Sequence, residues 1–209
     1  MYNFEEMNDE CGTIKITITG DCGTGKTQLL NQYSQNVFSH NSKSTIGVNF
    51  FTKFFPHETS LGKGYRLHLW DTAGQEKYKA FTNAYYRHSA GIIICYDITS
   101  RKSFNNIDMW INQIRENVDI ENIKIIIVGT HYDCTNDRKI SFDEGFHMAK
   151  KHSAMFFETS ASTGHNVENM FNHFIRSIIN DKQQNDLITS KNACKIVSNV
   201  QKTNTKLCC

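Results

Sequence analysis

The stretch Gly20-Asp21-Cys22-Gly23-Thr24-Gly25-Lys26-Thr27 constrains this chain more than any other. It meets the pattern G-x-x-x-x-G-K-[ST] at every defined position. Upstream, residues 13–19 alternate Ile with Lys or Thr, as a strand with one wet face does. Downstream, residues 26–33 read as a helix. A strand, a glycine-rich turn and a helix in that order line up main-chain N–H groups at a helix N-terminus, where they attract phosphate. Lys26 can then pair with β- and γ-phosphate oxygens, and Thr27 can ligate Mg²⁺. The unit alone leaves the base open, because ATP-using proteins share it.

The remaining pattern extends this unit into a sheet. Residues 49–55 and 65–71 read as strands joined by a hairpin connection at 57–64. Residues 91–97, 124–129 and 154–158 are short apolar runs typical of buried parallel strands. Helical spacing links Phe104, Ile107, Trp110, Ile111, Ile114 and Val118, and recurs at 142–152 and 167–179. The expectation is an α/β fold: a doubly wound, six-stranded, mostly parallel sheet flanked by helices. Ligands of such sheets gather beyond the C-terminal strand ends. We expect an N-terminal extension at 1–11, a folded domain at 12–180 and a flexible tail at 181–209, the last rich in Asn, Lys, Thr, Ser and Gln.

Composition narrows the setting. A formal charge of +2 gives no strong field for nucleic acid, so no such partner is expected. The seven Cys include no C-x-x-C pair, which argues against a zinc-thiolate site and fits a reducing compartment. The first ten residues are polar and acidic, unlike a secretory signal. No run approaches the roughly 18 apolar residues that span a bilayer.

Two further stretches supply hard oxygens for a Mg²⁺–nucleotide: Ser44-Thr45-Ile46-Gly47-Val48-Asn49-Phe50 and Trp70-Asp71-Thr72-Ala73-Gly74-Gln75-Glu76. With Lys77-Tyr78-Lys79-Ala80-Phe81-Thr82, Tyr85-Tyr86-Arg87-His88-Ser89-Ala90 and Tyr96-Asp97-Ile98-Thr99, they make the chain resemble the Rab family of the Ras superfamily from about residue 12 to 180. The resemblance implies a GTP-binding, GTP-hydrolysing switch of vesicle traffic. It assigns residues 20–27 to the phosphates and Thr27, Thr45 and Asp71 to Mg²⁺. Gly74 would approach the γ-phosphate, and Gln75 would orient the attacking water. Phe38, seven residues before Thr45, would lie against guanine. Ile46, Gly47, Val48, Phe50, Trp70 and the 81–86 region would form the effector surface. Cys22 stands where relatives often carry Ser, and is expected to be a mild change.

The base-reading motif departs from the family. Where N-K-x-D is usual, the chain has Thr130-His131-Tyr132-Asp133. Asp133 is kept, and its two oxygens match the donor pair of guanine, which adenine lacks. Main-chain amides of Ser160 and Ala161 would approach guanine O6. Thr130 lacks the second hydrogen-bonding end of Asn, so the tie between this loop and the phosphate loop is expected to weaken. His131 can stack on a base through its flat ring. A Lys common in the family is also missing at Ser162.

The chain ends Lys206-Leu207-Cys208-Cys209, which in a Rab-like chain implies two geranylgeranyl groups on Cys208 and Cys209. Two lipids anchor stably where one does not. The expected setting is the cytoplasmic face of an intracellular membrane, with a cytosolic pool. Expected partners are a GEF, a GAP, a GDP-dissociation inhibitor, prenylation escort machinery and effectors, acting on a monomer. Without a GAP, hydrolysis would be slow. Two other classes compete: a nucleotide-defective or fast-exchanging adaptor, motivated by Thr130 and His131, and a phosphate-loop ATPase or nucleotide kinase, disfavoured by Asp133.

Overall fold

A computed structural model describes residues 9–40, 45, 47–56, 63–72, 85–119 and 123–183. The phosphate-loop unit forms where expected: β1 (Asp9–Gly20) leads through the turn into α1 (Lys26–Gln35). β2 (Val48–Pro56) and β3 (Lys63–Thr72) pair antiparallel, from Val48 opposite Thr72 to Pro56 opposite Gly64. β4 (Gly91–Asp97), β5 (Lys124–Thr130) and β6 (Met155–Glu158) follow. The six strands form one sheet in the order β2-β3-β1-β4-β5-β6, parallel except at β2–β3. The expected connection spans 57–64, of which residues 57–62 lie outside the described residues.

The helical run expected from Phe104 to Val118 is two helices, α2 (Arg101–Asn105) and α3 (Ile107–Asn117), with Asn106 between them. Alternate residues of β4 and β5 (Ile92, Ile94, Tyr96, Ile125 and Ile127) pack on Phe104, Trp110, Ile111 and Ile114. Each such side chain contributes about 1.5–3 kcal/mol when fully buried. α4 (Phe142–Lys151) closes this layer through Ala149. Its start carries a capping box, in which Ser141 and Glu144 satisfy each other's main-chain N–H. α1 packs on the other face, against β1 and β3.

One expectation about β1 fails. The alternation predicts a wet threonine side, yet Thr17 and Thr19 are fully buried, like Ile14, Ile16 and Ile18. The cause is the segment entering β4. The Thr17 hydroxyl lies 2.8 Å from that of Ser89 and donates to the Tyr85 carbonyl at 3.1 Å. Thr19 meets the Tyr86 hydroxyl at 3.0 Å. Threonine satisfies buried partners here without exposing an unpaired hydroxyl.

By compactness the chain divides into Met1–Phe174 and Ile175–Cys209. In the first unit, residues 167–174 are helical, and Phe171 stacks on Tyr33 at 3.8 Å between ring centres. In the second, residues 175–183 are helical. Among the described residues no helix is long and apolar enough to cross a membrane.

Candidate nucleotide-binding site

The turn after β1, the start of α1, the C-terminal end of β5 and the loops that follow β5 and β6 line a cavity of about 400 Å³. Gly20 ends β1 with φ +132°, and a Cβ there would fall 2.2 Å from the Cys95 carbonyl oxygen. Only glycine lets the turn begin so close to β4. Gly23 and Gly25 adopt φ of +80° and +71°. Lys26, buried at the head of α1, donates through Nζ to the carbonyls of Gly20 at 2.8 Å and Asp21 at 2.7 Å. Burial lowers its pKa, against the opposing pull of Cys95 and Asp71.

Asp21 braces the loop from outside. Its carboxylate accepts from Asn106 Nδ2 at 2.7 Å and from Trp110 Nε1 at 2.8 Å, both contributed by the α2–α3 region. Thr24 closes the turn by donating to the Asp21 carbonyl at 2.9 Å.

Three oxygen-bearing side chains meet beside Lys26. Thr27 Oγ1 donates to Asp71 Oδ2 at 2.6 Å and lies 2.8 Å from Thr45 Oγ1. Asn49 Nδ2 reaches the same Asp71 oxygen at 3.5 Å. The other oxygen, Oδ1, is buried with no hydrogen-bond partner. Burial raises the Asp71 pKa, with Thr27 and Lys26 pulling the other way.

The base end is a pair of cross-linked loops. Tyr132 N–H donates to the Thr159 carbonyl at 3.1 Å, and Thr159 N–H to the Gly129 carbonyl at 2.8 Å. Arg138 forms a two-pronged ion pair with buried Glu158 at 2.7 and 2.8 Å, which fixes the end of β6. Tyr132 stacks on His165 at 4.4 Å. Between these loops, Asp133 accepts from Ser162 Oγ at 3.0 Å. Burial resists its ionisation, but Ser160, Ser162 and His131 outweigh it and hold the carboxyl below its ordinary value.

Thr130 still reaches the phosphate loop. Its hydroxyl donates to the Thr24 carbonyl at 3.0 Å, and the Tyr96 carbonyl lies equally near. The tie to the phosphate loop is therefore kept, on one proton in place of an amide's two. His131 sits at φ +60° with its ring beside Gly25, and its Nδ1 lies 3.3 Å from Asp97 Oδ1. That hydrogen bond raises the imidazole pKa against the effect of burial. Asp97 in turn is lowered: burial opposes its ionisation, while His131 and Thr99 overcome it.

The Ser160 amide has a partner within the protein. Its N–H is already donated to the His165 carbonyl at 3.0 Å, and the Ser160 hydroxyl accepts from Thr163 N–H at 3.1 Å. Of the pair expected at guanine O6, only Ala161 lines the cavity.

The cavity gathers Cys22, Gly23, Gly25, Lys26, Thr27, Phe38, Thr45, Thr130, His131, Asp133 and Ala161. Phe38 lies edge-on to His40 at 4.8 Å. Gly74, Gln75, Ile46, Cys208 and Cys209 lie outside the described residues. On the sheet edge, Val48 is half-buried and Phe50 is exposed, its ring 5.0 Å from Trp70 and 5.1 Å from His68. Reading by motif missed Asp97, Asn106, Trp110 and Ser162 as supports of the site. Asp97 stands inside a quoted motif; the others carry no local signal.

Comparison with known proteins agrees with this geometry. A family model described as the Ras family matches residues 15–180. The chain is similar to Ras-related protein RGP2 of Oryza sativa subsp. japonica, 43% identical over 164 residues, or 78% of this chain and 74% of that one. It is similar to Ras-related protein Rab-11A of Dictyostelium discoideum, 42% identical over 164 residues, covering 78% and 75%. Ras-related protein RABA2b of Arabidopsis thaliana is 36% identical over 203 residues, covering 93% of each. With a phosphate loop, a cluster of hard oxygens and a carboxylate at the base end on one sheet, the chain belongs to the Ras family of small GTPases, in its Rab-related branch.

Proposed function

We propose that the chain is a Mg²⁺-dependent switch of vesicle traffic that binds guanine nucleotide in this cavity and is tethered through Cys208 and Cys209. The observation that carries the nucleotide reading is the Thr27–Asp71–Thr45 cluster beside Lys26. Asp71 Oδ1 is buried without a partner, and hydroxyls converge within 2.8 Å of one another. Such a set fits a small hard cation, with Thr27, Thr45 and Asp71 as its holders. When bound, the cation would neutralise charge on the β- and γ-phosphates.

The chain's own residues do the rest. Lys26 turns from the Gly20 and Asp21 carbonyls to phosphate oxygens. Amides of residues 23–27 orient the phosphates at the head of α1. Asp133 selects guanine by accepting from its two donors, Ala161 offers its amide, and Phe38 and His131 flank the base. Gln75 orients the attacking water, and Thr45 and Gly74 sense the γ-phosphate. Loss of that phosphate frees both segments, and effectors at Phe50 and Trp70 let go. The traffic role and the lipid tether rest on family resemblance and on the terminal Cys208-Cys209.

The test is to purify the full chain, identify its extracted nucleotide and measure turnover. Bound GDP with slow GTP turnover supports the switch. Absence of nucleotide favours the adaptor, and ATP turnover overturns the base assignment. Membrane fractionation of Cys208→Ser/Cys209→Ser tests the tether; undiminished membrane association refutes it.

A further inference from the structure

His131 is a titratable side chain at a place where the family pattern has Lys. Three neighbours fix its ring. A Cβ placed on Gly25 would lie 3.4 Å from His131 Cε1 and 3.6 Å from Nε2, so that edge rests on the phosphate loop. Nδ1 lies 3.3 Å from Asp97 Oδ1 and 3.2 Å from Thr130 Oγ1. The left-handed backbone at φ +60° holds the residue at the turn out of β5. The side chain stays 37% exposed, and it lines the same cavity as Phe38 and Asp133.

We propose that His131 is a proton-linked clamp, whose charged form holds guanine nucleotide and the phosphate loop together and whose neutral form loosens that hold. The proposal rests on the guanine-nucleotide reading above. In the charged ring both nitrogens donate: Nδ1 to Asp97, and Nε2 on the side of Gly25 and the cavity. The cationic face also attracts a base π-surface. In the neutral ring Nδ1–H still serves Asp97, while Nε2 becomes an acceptor and the cationic face is lost.

The charges facing the ring are Asp97 from β4 and Asp133 from the loop after β5. The phosphate loop meets it at uncharged Gly25. Lys26, His40, Cys22 and Cys134 line the same cavity, so His40 and the two thiols are the competing titratable groups. Because its hydrogen bond to Asp97 raises the imidazole pKa above the ordinary value, the charged form persists to higher pH than in a free imidazole and is lost as pH rises further.

The experiment follows release of a fluorescent GDP from the purified chain between about pH 6 and about pH 8.5, across imidazole titration. Release is expected to be about two- to fivefold faster at the alkaline end, the range one exposed cation–π contact supplies. His131→Lys should be slow and flat with pH. Asp97→Asn should move the transition to lower pH, and His40→Asn should keep it. An NMR titration of the His131 ring should share the kinetic midpoint. A flat wild-type profile with nucleotide loaded overturns the proton link alone, as does a slope that survives His131→Lys. Failure to load guanine nucleotide overturns the underlying reading and the proposal with it.

Discussion

The hydroxyl of Thr130, the last residue of β5, donates to the main-chain carbonyl of Thr24 in the phosphate loop at 3.0 Å. The base end and the phosphate end of the site are thus joined by a single shared proton. Thr130→Val keeps the shape and removes the donor. It should cost about 1–3 kcal/mol, the penalty of stranding buried acceptors, and should speed GDP release. Urea unfolding and fluorescent GDP release measure the two effects. Thr130→Asn should slow release; equal rates for Thr130→Asn and wild type would dispose of the idea that this position sets exchange.

Asp133 is held ionised between two serines at the base end. Asp133→Ala should weaken GDP binding about ten- to a hundredfold, since the donors of guanine lose their acceptor. Calorimetric titration checks this, and undiminished affinity would place the base elsewhere.

Arg138 and Glu158 form an ion pair in which Glu158 is only 4% exposed. Arg138→Leu strands that carboxylate and should destabilise the fold by about 3–5 kcal/mol. Denaturant midpoints test it. The double change Arg138→Leu/Glu158→Leu should recover much of the loss, which a purely steric effect of the first substitution would not allow.

Glu144 is held at about 2 against an ordinary 4.5, first by the Arg101 guanidinium and then by the Ser141 amide. A carboxyl lowered in the folded state adds stability above its unfolded pKa and loses it as pH falls toward the folded one. Wild type should therefore lose stability between about pH 4.5 and about pH 2 more steeply than Glu144→Gln. Circular dichroism of acid unfolding reads the slopes, and parallel curves would contradict the pairing.

Local elements were legible from the chain alone. The phosphate loop needs only glycines, one Lys and one Thr in a fixed order, so every constraint lies within eight residues. The alternation of short apolar runs with helical spacing announced the parallel sheet. What stayed hidden depends on distant chain. Thr17 and Thr19 looked wet because nothing near them reveals the cover from Tyr85, Tyr86 and Ser89. Asp21 finds Trp110 across 89 residues. The Ser160 amide is diverted by a turn five residues on, at His165, and no spacing rule records that. That Thr130 reaches the Thr24 carbonyl is likewise a matter of placement, which residue type alone does not record.

Val48 and Thr72 face one another across the antiparallel pair β2–β3. One stands just after Thr45 and Gly47, the other just before Gly74 and Gln75. The two stretches proposed to answer to the γ-phosphate thus depart from the two ends of one rung of the ladder, about 5 Å apart. On the proposed reading, a protein gripping Phe50 and Trp70 would hold the paired strands from which both stretches depart. Such a partner would sample the two stretches jointly, as a coincidence detector does, because both are rooted in the same handhold.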